Sequence, residues 1–256
     1  MLSALLSRVP SAASKSLRAS TATTLSRTMG FSTGRTTFED LTAGADEEQL
    51  QFMKEMIIQV DEADKVVGPI TKKDAHFHEG ALHRAFSVFL FNSKNELLIQ
   101  KRAAEKITFP SYWANTCCSH PNYTPEELED AVGVKRAAIR KLEHELGIPT
   151  TTFNPEDLKY VTTVLYKAAS DANWIEWEVD HILLARRDVS LDVNPNEVAE
   201  VEFVPKEKLQ EVLDDKSRQL SPWFRLIATR LLPTWWEKLD SMLEKDSEER
   251  KINDFC

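Results

Sequence analysis

Hydrophobic and polar positions alternate in patterns that predict most of the secondary structure. Apolar side chains at every second position predict strands, and apolar side chains three or four positions apart predict helices. The predicted strands cover residues 83–91, 96–102, 160–168, 174–185 and 198–205, and residues 61–73 predict a strand–turn–strand around Gly68-Pro69. The predicted helices cover residues 46–60, 124–146, 205–214 and 222–245, the last kinked at Pro233. This order predicts an α+β fold, with a mixed sheet packed between helices and helical additions at both ends.

Local signals mark the ends of the central helix and one long loop. Thr124-Pro125-Glu126-Glu127 combines an N-cap, a first-turn proline and a capping-box glutamate. Gly147 is placed to end that helix. Residues 92–95 predict the turn of a hairpin, and the polar and aromatic segment 103–123 follows it. A loop of that length inside a compact domain is typical of functional segments.

Charge divides the chain into two parts. Residues 1–38 contain five basic residues, 15 serines and threonines and no acidic residue. This composition is typical of an organelle transit peptide, with a merely disordered tail as the alternative. We expect a mitochondrial or other organellar address, and a cytosolic form could start at Met29. Residues 39–256 predict a single domain, with a core at about 80–210 and C-terminal helices at about 205–245.

Composition excludes several functional classes. Residues 39–256 carry 27 basic and 41 acidic side chains, a net charge of −14, which argues against nucleic acid as the main partner. No apolar run approaches the ~18–20 residues that span a membrane. The seven glycines form neither a dinucleotide-binding nor a P-loop motif. Three cysteines, two of them adjacent, are not a disulfide framework and indicate a reducing compartment.

The strand at 174–185 carries an unusual set of charges. Glu176, Glu178 and Asp180 share one of its faces because side chains alternate along a strand. Such a face is commonly solvated, but the flanking segments here are apolar. A divalent cation is the simplest compensation for three carboxylates in an interior strand.

Histidines strengthen the case for a metal. His76, His78 and His83 lie just before or in the hairpin, and His120 lies in the long loop. Imidazole and carboxylate ligands together suit Zn²⁺, Mn²⁺ or Mg²⁺. A structural histidine remains the alternative at each position, because imidazole also packs and hydrogen-bonds well.

The loop also offers a thiol and cations. The segment Cys117-Cys118-Ser119-His120 offers a candidate reactive thiol because nearby histidine and cations lower a thiol pKa, and an inert core cysteine is the alternative. Five basic residues could hold an anion, although a solvated basic patch is the ordinary interpretation: Lys72, Lys73, Lys101, Arg102 and Lys106.

Taken together, these motifs resemble the type I isopentenyl-diphosphate Δ-isomerases, a family with the Nudix fold. The resemblance runs from about residue 48 to residue 240. The matching stretches are KKDAH (72–76), LHRAFSVFLF (82–91), QKRAAEKITFPSYWANTCCSHP (100–121), EHELG (143–147), YKAASDANWIEWEVDHI (166–182) and LSPWFRLIA (220–228). The combination of TCCSHP, ExExD and SPWF is specific, whereas each motif alone is weak.

The hydrolase signature of the wider Nudix group is degraded in this chain. Residues 140–148, RKLEHELGI, keep part of the pattern, but Lys141 and His144 stand where it has glutamate. Hydrolases use those carboxylates to hold the metals that activate water. The departures therefore argue against phosphoanhydride hydrolysis and favour the isomerase branch.

The resemblance implies a complete site and a reaction. The implied metal ligands are His76, His83, His120, Glu176 and Glu178 for Mg²⁺, Mn²⁺ or Zn²⁺, and Glu145 for a second Mg²⁺ that bridges to the substrate diphosphate. The implied diphosphate contacts are Lys72, Arg102, Lys106 and Ser119. The implied catalytic groups are Cys118, Glu178 and its partner Tyr166, with Trp223 as an aromatic wall.

The implied reaction converts isopentenyl diphosphate to dimethylallyl diphosphate through a tertiary carbocation, for isoprenoid and sterol-precursor biosynthesis. The only implied partner is this small molecule, and a monomer is preferred. The rival interpretations are a Nudix pyrophosphohydrolase, a non-catalytic binding module and a structural metal protein.

Overall fold

The computed structural model describes residues 36–249 and 251–256, so the predicted leader up to Arg35 lies outside the described residues. Thr37 and Phe38, which the sequence assigns to the leader, take part in a short helix. Thr37 caps this helix by accepting a hydrogen bond from the backbone of Asp40. Phe38 packs edge-on against Trp174, with ring centroids 5.9 Å apart. Residues 37–256 form one unit.

Strands and helices alternate irregularly along the described residues. The strands are β1 (Met56–Val60), β2 (Val66–Thr71), β3 (His83–Phe91), β4 (Leu97–Arg102), β5 (Trp113–Ala114), β6 (Cys117–Ser119), β7 (Lys159–Ala169), β8 (Ile175–Arg186), β9 (Val198–Val204) and β10 (Ile252–Asp254). The helices are α1 (Phe38–Leu41), α2 (Glu47–Phe52), α3 (Lys72–His76), α4 (Asp130–Leu146), α5 (Leu209–Asp214), α6 (Pro222–Arg230), α7 (Leu232–Glu237) and α8 (Leu239–Met242). Within this part of the chain, no helix is both long enough and apolar enough to cross a membrane.

Strand β3 is the centre of the sheet. It pairs in parallel with β8 and antiparallel with β6, and all nine of its residues are buried. Because side chains alternate, Phe89 and Phe91 pack towards the C-terminal helices, while Phe86 and Val88 pack towards α4. The sheet is therefore mixed and covered by helices, which confirms the predicted α+β fold class.

The central helix begins later than predicted. Its first residue is Asp130, and its N-cap Glu129 makes no side-chain capping bond. The Thr124 carbonyl instead accepts hydrogen bonds from the backbone of Glu127 and Leu128, so this segment forms a separate turn. The C-terminal end is as predicted, with Gly147 in the left-handed conformation at φ 66°.

The N-terminal predictions were wrong in two places. Helix α2 ends at Phe52, and Met56–Val60 is a strand because the β-branched Ile57 and Ile58 are buried in the sheet. The turn between β1 and β2 lies at residues 61–65, and Pro69 sits inside β2 opposite Ile58.

Two further differences concern strand pairing and the C-terminal helices. The predicted hairpin of β3 and β4 forms at Phe91 and Leu97, but β4 then leaves β3 and pairs with β9. The long predicted C-terminal helix is broken before Pro233 into α6, α7 and α8. The terminal strand β10 was not predicted.

Candidate active site

Five potential metal ligands converge on one point in the interior. They come from α3, β3, the residue after β6, and β8: His76, His83, His120, Glu176 and Glu178. Their ligand atoms all lie within 4.8 Å of one another, and all five residues are buried. The parallel pairing of β3 with β8 sets His83 against Glu178 and so brings the histidine and carboxylate motifs together.

The ring orientations of two histidines are fixed by the backbone. Nδ1 of His76 donates a hydrogen bond to the carbonyl of Lys72 at 2.6 Å, and Nδ1 of His83 donates to the carbonyl of Ala81 at 2.7 Å. Because a carbonyl only accepts, each Nδ1 carries a proton, and Nε2 is the nitrogen that faces the ligand group. Burial, followed by repulsion from His83 and His76, holds the pKa of His120 well below its usual value. His120 is therefore in the neutral form that a metal requires.

The ligand group fits a divalent metal. Four of its buried atoms have no hydrogen-bond partner: His76 Nε2, His83 Nε2, His120 Nδ1 and Glu176 Oε2. His76 Nε2 lies 2.7 Å from Glu176 Oε2, but not in hydrogen-bonding geometry. Unpaired polar atoms in the interior cost free energy, and a shared cation would remove that cost. Ligands held at about 2.1 Å from one ion lie at most about 4.2 Å apart, so the group needs only a slight contraction.

Cys118 and Glu178 line one cavity from opposite sides of β3. The hydroxyl of Tyr166 donates a short hydrogen bond to Oε2 of Glu178. Burial, and then the negative charge of Glu178, raise the pKa of the Cys118 thiol and of the Tyr166 phenol well above their usual values. The predicted lowering of the thiol pKa was therefore wrong, because burial and carboxylates outweigh the nearby cations. Both groups keep their protons and can act as proton donors.

Trp223 forms an aromatic wall of the same cavity. It lies in the first turn of α6, immediately after Pro222, and only 2% of its surface is exposed. Its indole N–H donates to the side-chain oxygen of Asn115 at 3.1 Å. Its ring stacks on Tyr166 at 6.2 Å and meets the edge of Phe109 at 5.1 Å. These contacts leave Trp223 little rotational freedom.

Four predicted diphosphate contacts line this cavity: Lys72, Arg102, Lys106 and Ser119. Burial, and then repulsion from Lys106 and Lys141, lower the pKa of Lys72 to about 8. The Arg102 guanidinium donates to the carbonyl of Thr108 at 2.8 Å, which ties it to the loop after β4. The other two sequence candidates pair elsewhere, Lys73 with the ring of Phe38 and Lys101 with Glu200.

Glu145 lies outside the group of five ligands. It is buried on α4, where Gln100 Nε2 donates to its Oε2 at 2.9 Å and the ammonium of Lys141 lies 3.5 Å from its Oε1. Lys141, on the same helix, is itself buried, and its ammonium lies 4.0 Å from Oε2 of Glu197. His78, unassigned in the sequence, packs its ring on Phe77 at 3.8 Å.

Sequence reasoning missed several residues at or near the cavity. Gln49 and Phe52 of α2 line it. Both lie within the span of the resemblance, but none of the matching motifs contains them. Glu197 is 2% exposed and bonded to Lys106 at 2.5 Å. The polar segment 194–197 gives no sequence signal that its single carboxylate is buried.

The fold and the buried ligand group define a class of protein. The family profile described as the NUDIX domain matches residues 81–224, more than half of the chain. The chain is therefore a NUDIX-domain protein with a buried His/Glu group suited to a divalent metal.

Relatives place the chain more narrowly. An isopentenyl-diphosphate delta-isomerase from Gibberella zeae is 51% identical over 82% of this chain and 87% of its own length. An isopentenyl-diphosphate Delta-isomerase 1 from Bos taurus is 48% identical over 77% of this chain and 91% of its own length. An isopentenyl-diphosphate Delta-isomerase I from Clarkia breweri is 46% identical over 86% of this chain and 82% of its own length. The chain belongs to the isopentenyl-diphosphate delta-isomerase family.

Proposed function

We propose that this protein isomerises isopentenyl diphosphate to dimethylallyl diphosphate, a step of isoprenoid and sterol-precursor biosynthesis. The single observation that carries the proposal is the meeting of a protonated thiol, a carboxylate and an aromatic wall in one cavity, formed by Cys118, Glu178 and Trp223. Moving a double bond by one carbon requires one proton to be added and another removed. Two acid/base groups beside an apolar wall supply that chemistry.

Cys118 is the proposed proton donor to the alkene. Its raised pKa keeps the proton on sulfur until the substrate accepts it. The carbon skeleton then carries a tertiary cation, which the face of Trp223 stabilises without forming a bond. Glu178, oriented by the Tyr166 hydroxyl, takes the proton from the neighbouring carbon. The buried walls exclude water, which would otherwise trap the cation as an alcohol.

The proposed metal site is the group of His76, His83, His120, Glu176 and Glu178. Three nitrogen and two oxygen donors suit Zn²⁺, Mn²⁺ or Mg²⁺. When bound, such an ion supplies positive charge that tunes the proton affinity of Glu178. Glu145 is the proposed ligand of a separate Mg²⁺ that arrives with the diphosphate, since magnesium is commonly bound by one carboxylate together with substrate phosphates.

The proposed diphosphate clamp consists of Lys72, Arg102, Lys106 and Ser119. These residues lie in the same cavity as Cys118, so a bound diphosphate holds the short hydrocarbon end against the thiol. One chain supplies every residue of this site, which supports a monomer as the working unit.

The composition of the leader supports a targeting role rather than a catalytic one. Residues 1–38 have the basic, hydroxyl-rich and acid-free composition of a transit peptide. The proposed location is the mitochondrion or another organelle, with a cytosolic form that starts at Met29.

The test is incubation with isopentenyl diphosphate and Mg²⁺. We expect an acid-labile allylic diphosphate, and incorporation of solvent deuterium when the reaction runs in heavy water. Release of phosphate or a mononucleotide from nucleoside diphosphate derivatives would support the hydrolase alternative instead. Binding of the substrate with neither product nor deuterium exchange would show a non-catalytic module.

A further inference from the structure

Glu197 is a buried carboxylate at the centre of the cations, and neither the catalytic groups nor the metal ligands account for it. It directly precedes β9, and 2% of its surface is exposed. Both of its carboxylate oxygens are engaged. Oε2 accepts a hydrogen bond from Lys106 at 2.5 Å and lies 4.0 Å from the ammonium of Lys141, and Oε1 accepts from Gln49 Nε2 at 2.9 Å.

The backbone of Glu197 also fixes the loop that carries Lys106. Its carbonyl accepts a hydrogen bond from the backbone N–H of Ala103 at 2.9 Å, immediately after β4. Lys106 lies three residues further along that loop and returns its side chain to the Glu197 carboxylate. Main chain and side chain of one residue therefore hold both ends of this short segment.

Electrostatics explains why an anion is needed at this position. Lys72, Lys106 and Lys141 lie close enough to repel one another, and this repulsion adds to burial in lowering the pKa of Lys72. The ammonium groups of Lys106 and Lys141, together with Lys72, in turn hold the pKa of Glu197 far below its usual value, although burial opposes this. Glu197 is thus ionised, and it offsets the repulsion that would drive the lysines apart.

The geometry leaves Lys106 available to a ligand. An ammonium group has three N–H donors, and Glu197 uses one of those of Lys106. The others remain for phosphate oxygens.

We propose that Glu197 is a positioning residue that pre-orders Lys106 and Lys141 for the diphosphate group. The inference rests on the proposed function of Lys106 in the diphosphate clamp. Glu197 neither lines the cavity nor belongs to the five-residue ligand group, so it acts through the side chains that it holds, Lys106 foremost. Substrate binding, rather than the chemical step, is the quantity it controls.

The test compares Glu197→Gln with Glu200→Gln. Glu200 lies on β9 three residues after Glu197 and forms a partly exposed ion pair with Lys101 at 2.6 Å, so its variant removes the same charge outside the cavity. The readouts are the dissociation constant of inorganic pyrophosphate by calorimetry, and KM and kcat for isopentenyl diphosphate. Loss of a supporting partner should weaken pyrophosphate binding and raise KM about tenfold in Glu197→Gln, with little change in kcat. Glu200→Gln should match the unaltered protein.

An unchanged or tighter pyrophosphate affinity in Glu197→Gln would overturn the inference, because it would make Glu197 a structural or a competing anion. A loss in kcat alone would also overturn it. Glu197→Asp keeps the charge near the lysines, so it should lose less affinity than Glu197→Gln. An equal loss would rule out a role for the charge. Melting curves check that each variant is folded. If Glu197→Gln does not fold, Glu197→Asp serves as the test.

Lys106→Met separates this inference from the clamp on which it rests. If Lys106→Met leaves pyrophosphate binding intact, the proposed clamp itself fails. If it weakens binding while Glu197→Gln does not, only the role of Glu197 fails. If both roles hold, Glu197→Gln should reduce pyrophosphate affinity less in the Lys106→Met variant than it does in the unaltered protein. Full additivity would overturn the action through Lys106.

Discussion

Two neighbouring cysteines show how the sheet assigns different environments to adjacent residues. Cys117 pairs opposite Val88 and packs, fully buried, among side chains of α4. Cys118 pairs opposite Ser87 and lines the cavity with Glu178. The sequence favours the second cysteine only through the resemblance, since alternation alone does not say which face is the active one.

Cys118→Ala should remove activity without loss of the fold. General acid–base groups contribute about 10²- to 10⁴-fold to rate, so we expect kcat to fall by about that factor. The matched control is Cys117→Ala, which should keep its activity and lose a little stability because a small buried side chain is truncated. Steady-state kinetics and melting curves check both variants. An active Cys118→Ala protein together with an inactive Cys117→Ala protein would reverse the assignment.

Residue-level prediction reached the buried ligand group and stopped at the residues that support the cavity. Glu176 and Glu178 could be grouped because alternation along one strand is visible in the sequence, whereas His76 was selected through the resemblance. Gln49 and Glu197 could not, because they reach the cavity through contacts about 150 positions apart in the chain. Local spacing carries no information about such pairs.

At the scale of elements, four pieces of the chain meet at the metal ligands. Helix α3, strands β3 and β8 and the residue after β6 each supply at least one ligand. An ion bound there links segments that are distant in the sequence and so stabilises only the folded state.

Metal removal should lower the melting temperature. A ligand at a hundred times its dissociation constant adds about 2.7 kcal/mol of stability, and for a domain of this size that corresponds to about 5–10 °C. Scanning calorimetry before and after chelation, followed by addition of Zn²⁺, Mn²⁺ or Mg²⁺ separately, measures the effect. Glu176→Gln should shrink the difference, because it removes one ligand of the group. If chelation leaves the melting temperature unchanged, the five residues do not hold a metal.

The late start of α4 has its own physical cause. The sequence signal at Thr124 is real, but residues 124–128 form a separate turn, and the backbone of this turn lies against the helix. A methyl group on Gly133 would come within 2.3 Å of the Glu127 carbonyl oxygen. Glycine is therefore required for this close approach, and a capping pattern alone does not reveal it.

Gly133→Ala should destabilise the protein, against the usual trend. Alanine in a helix interior is normally favoured over glycine by about 1 kcal/mol. Here the added methyl meets backbone, and overpacking of that kind costs about 1–3 kcal/mol, so we expect a net loss. Gly68→Ala is the control, because nothing lies within 4 Å of its new methyl group. Urea unfolding measures both free energies, and a stabilised Gly133→Ala variant would contradict the packing of the turn on α4.

For the whole molecule, bulk charge is a poor guide to the ligand. Residues 39–256 carry a net charge of −14, yet Lys72, Arg102 and Lys106 line the cavity that is proposed to hold the diphosphate. Glu176, Glu178 and Glu197 account for part of the acidic excess as buried groups. Sequence composition counts these charges and cannot place them, because burial is set by the fold.

The leader should be dispensable for catalysis and sufficient for transport. Residues 37–256 form a unit that contains every proposed site residue, so deletion of residues 1–35 should leave kcat and KM for isopentenyl diphosphate within experimental error. A fluorescent reporter fused to residues 1–38 should enter an organelle, because cationic, acid-free leaders are imported. The same fusion with its five basic residues changed to glutamine should stay in the cytosol. Import of the glutamine variant, or a diffuse signal from the native leader, would refute the proposed address while leaving the enzyme assignment untouched.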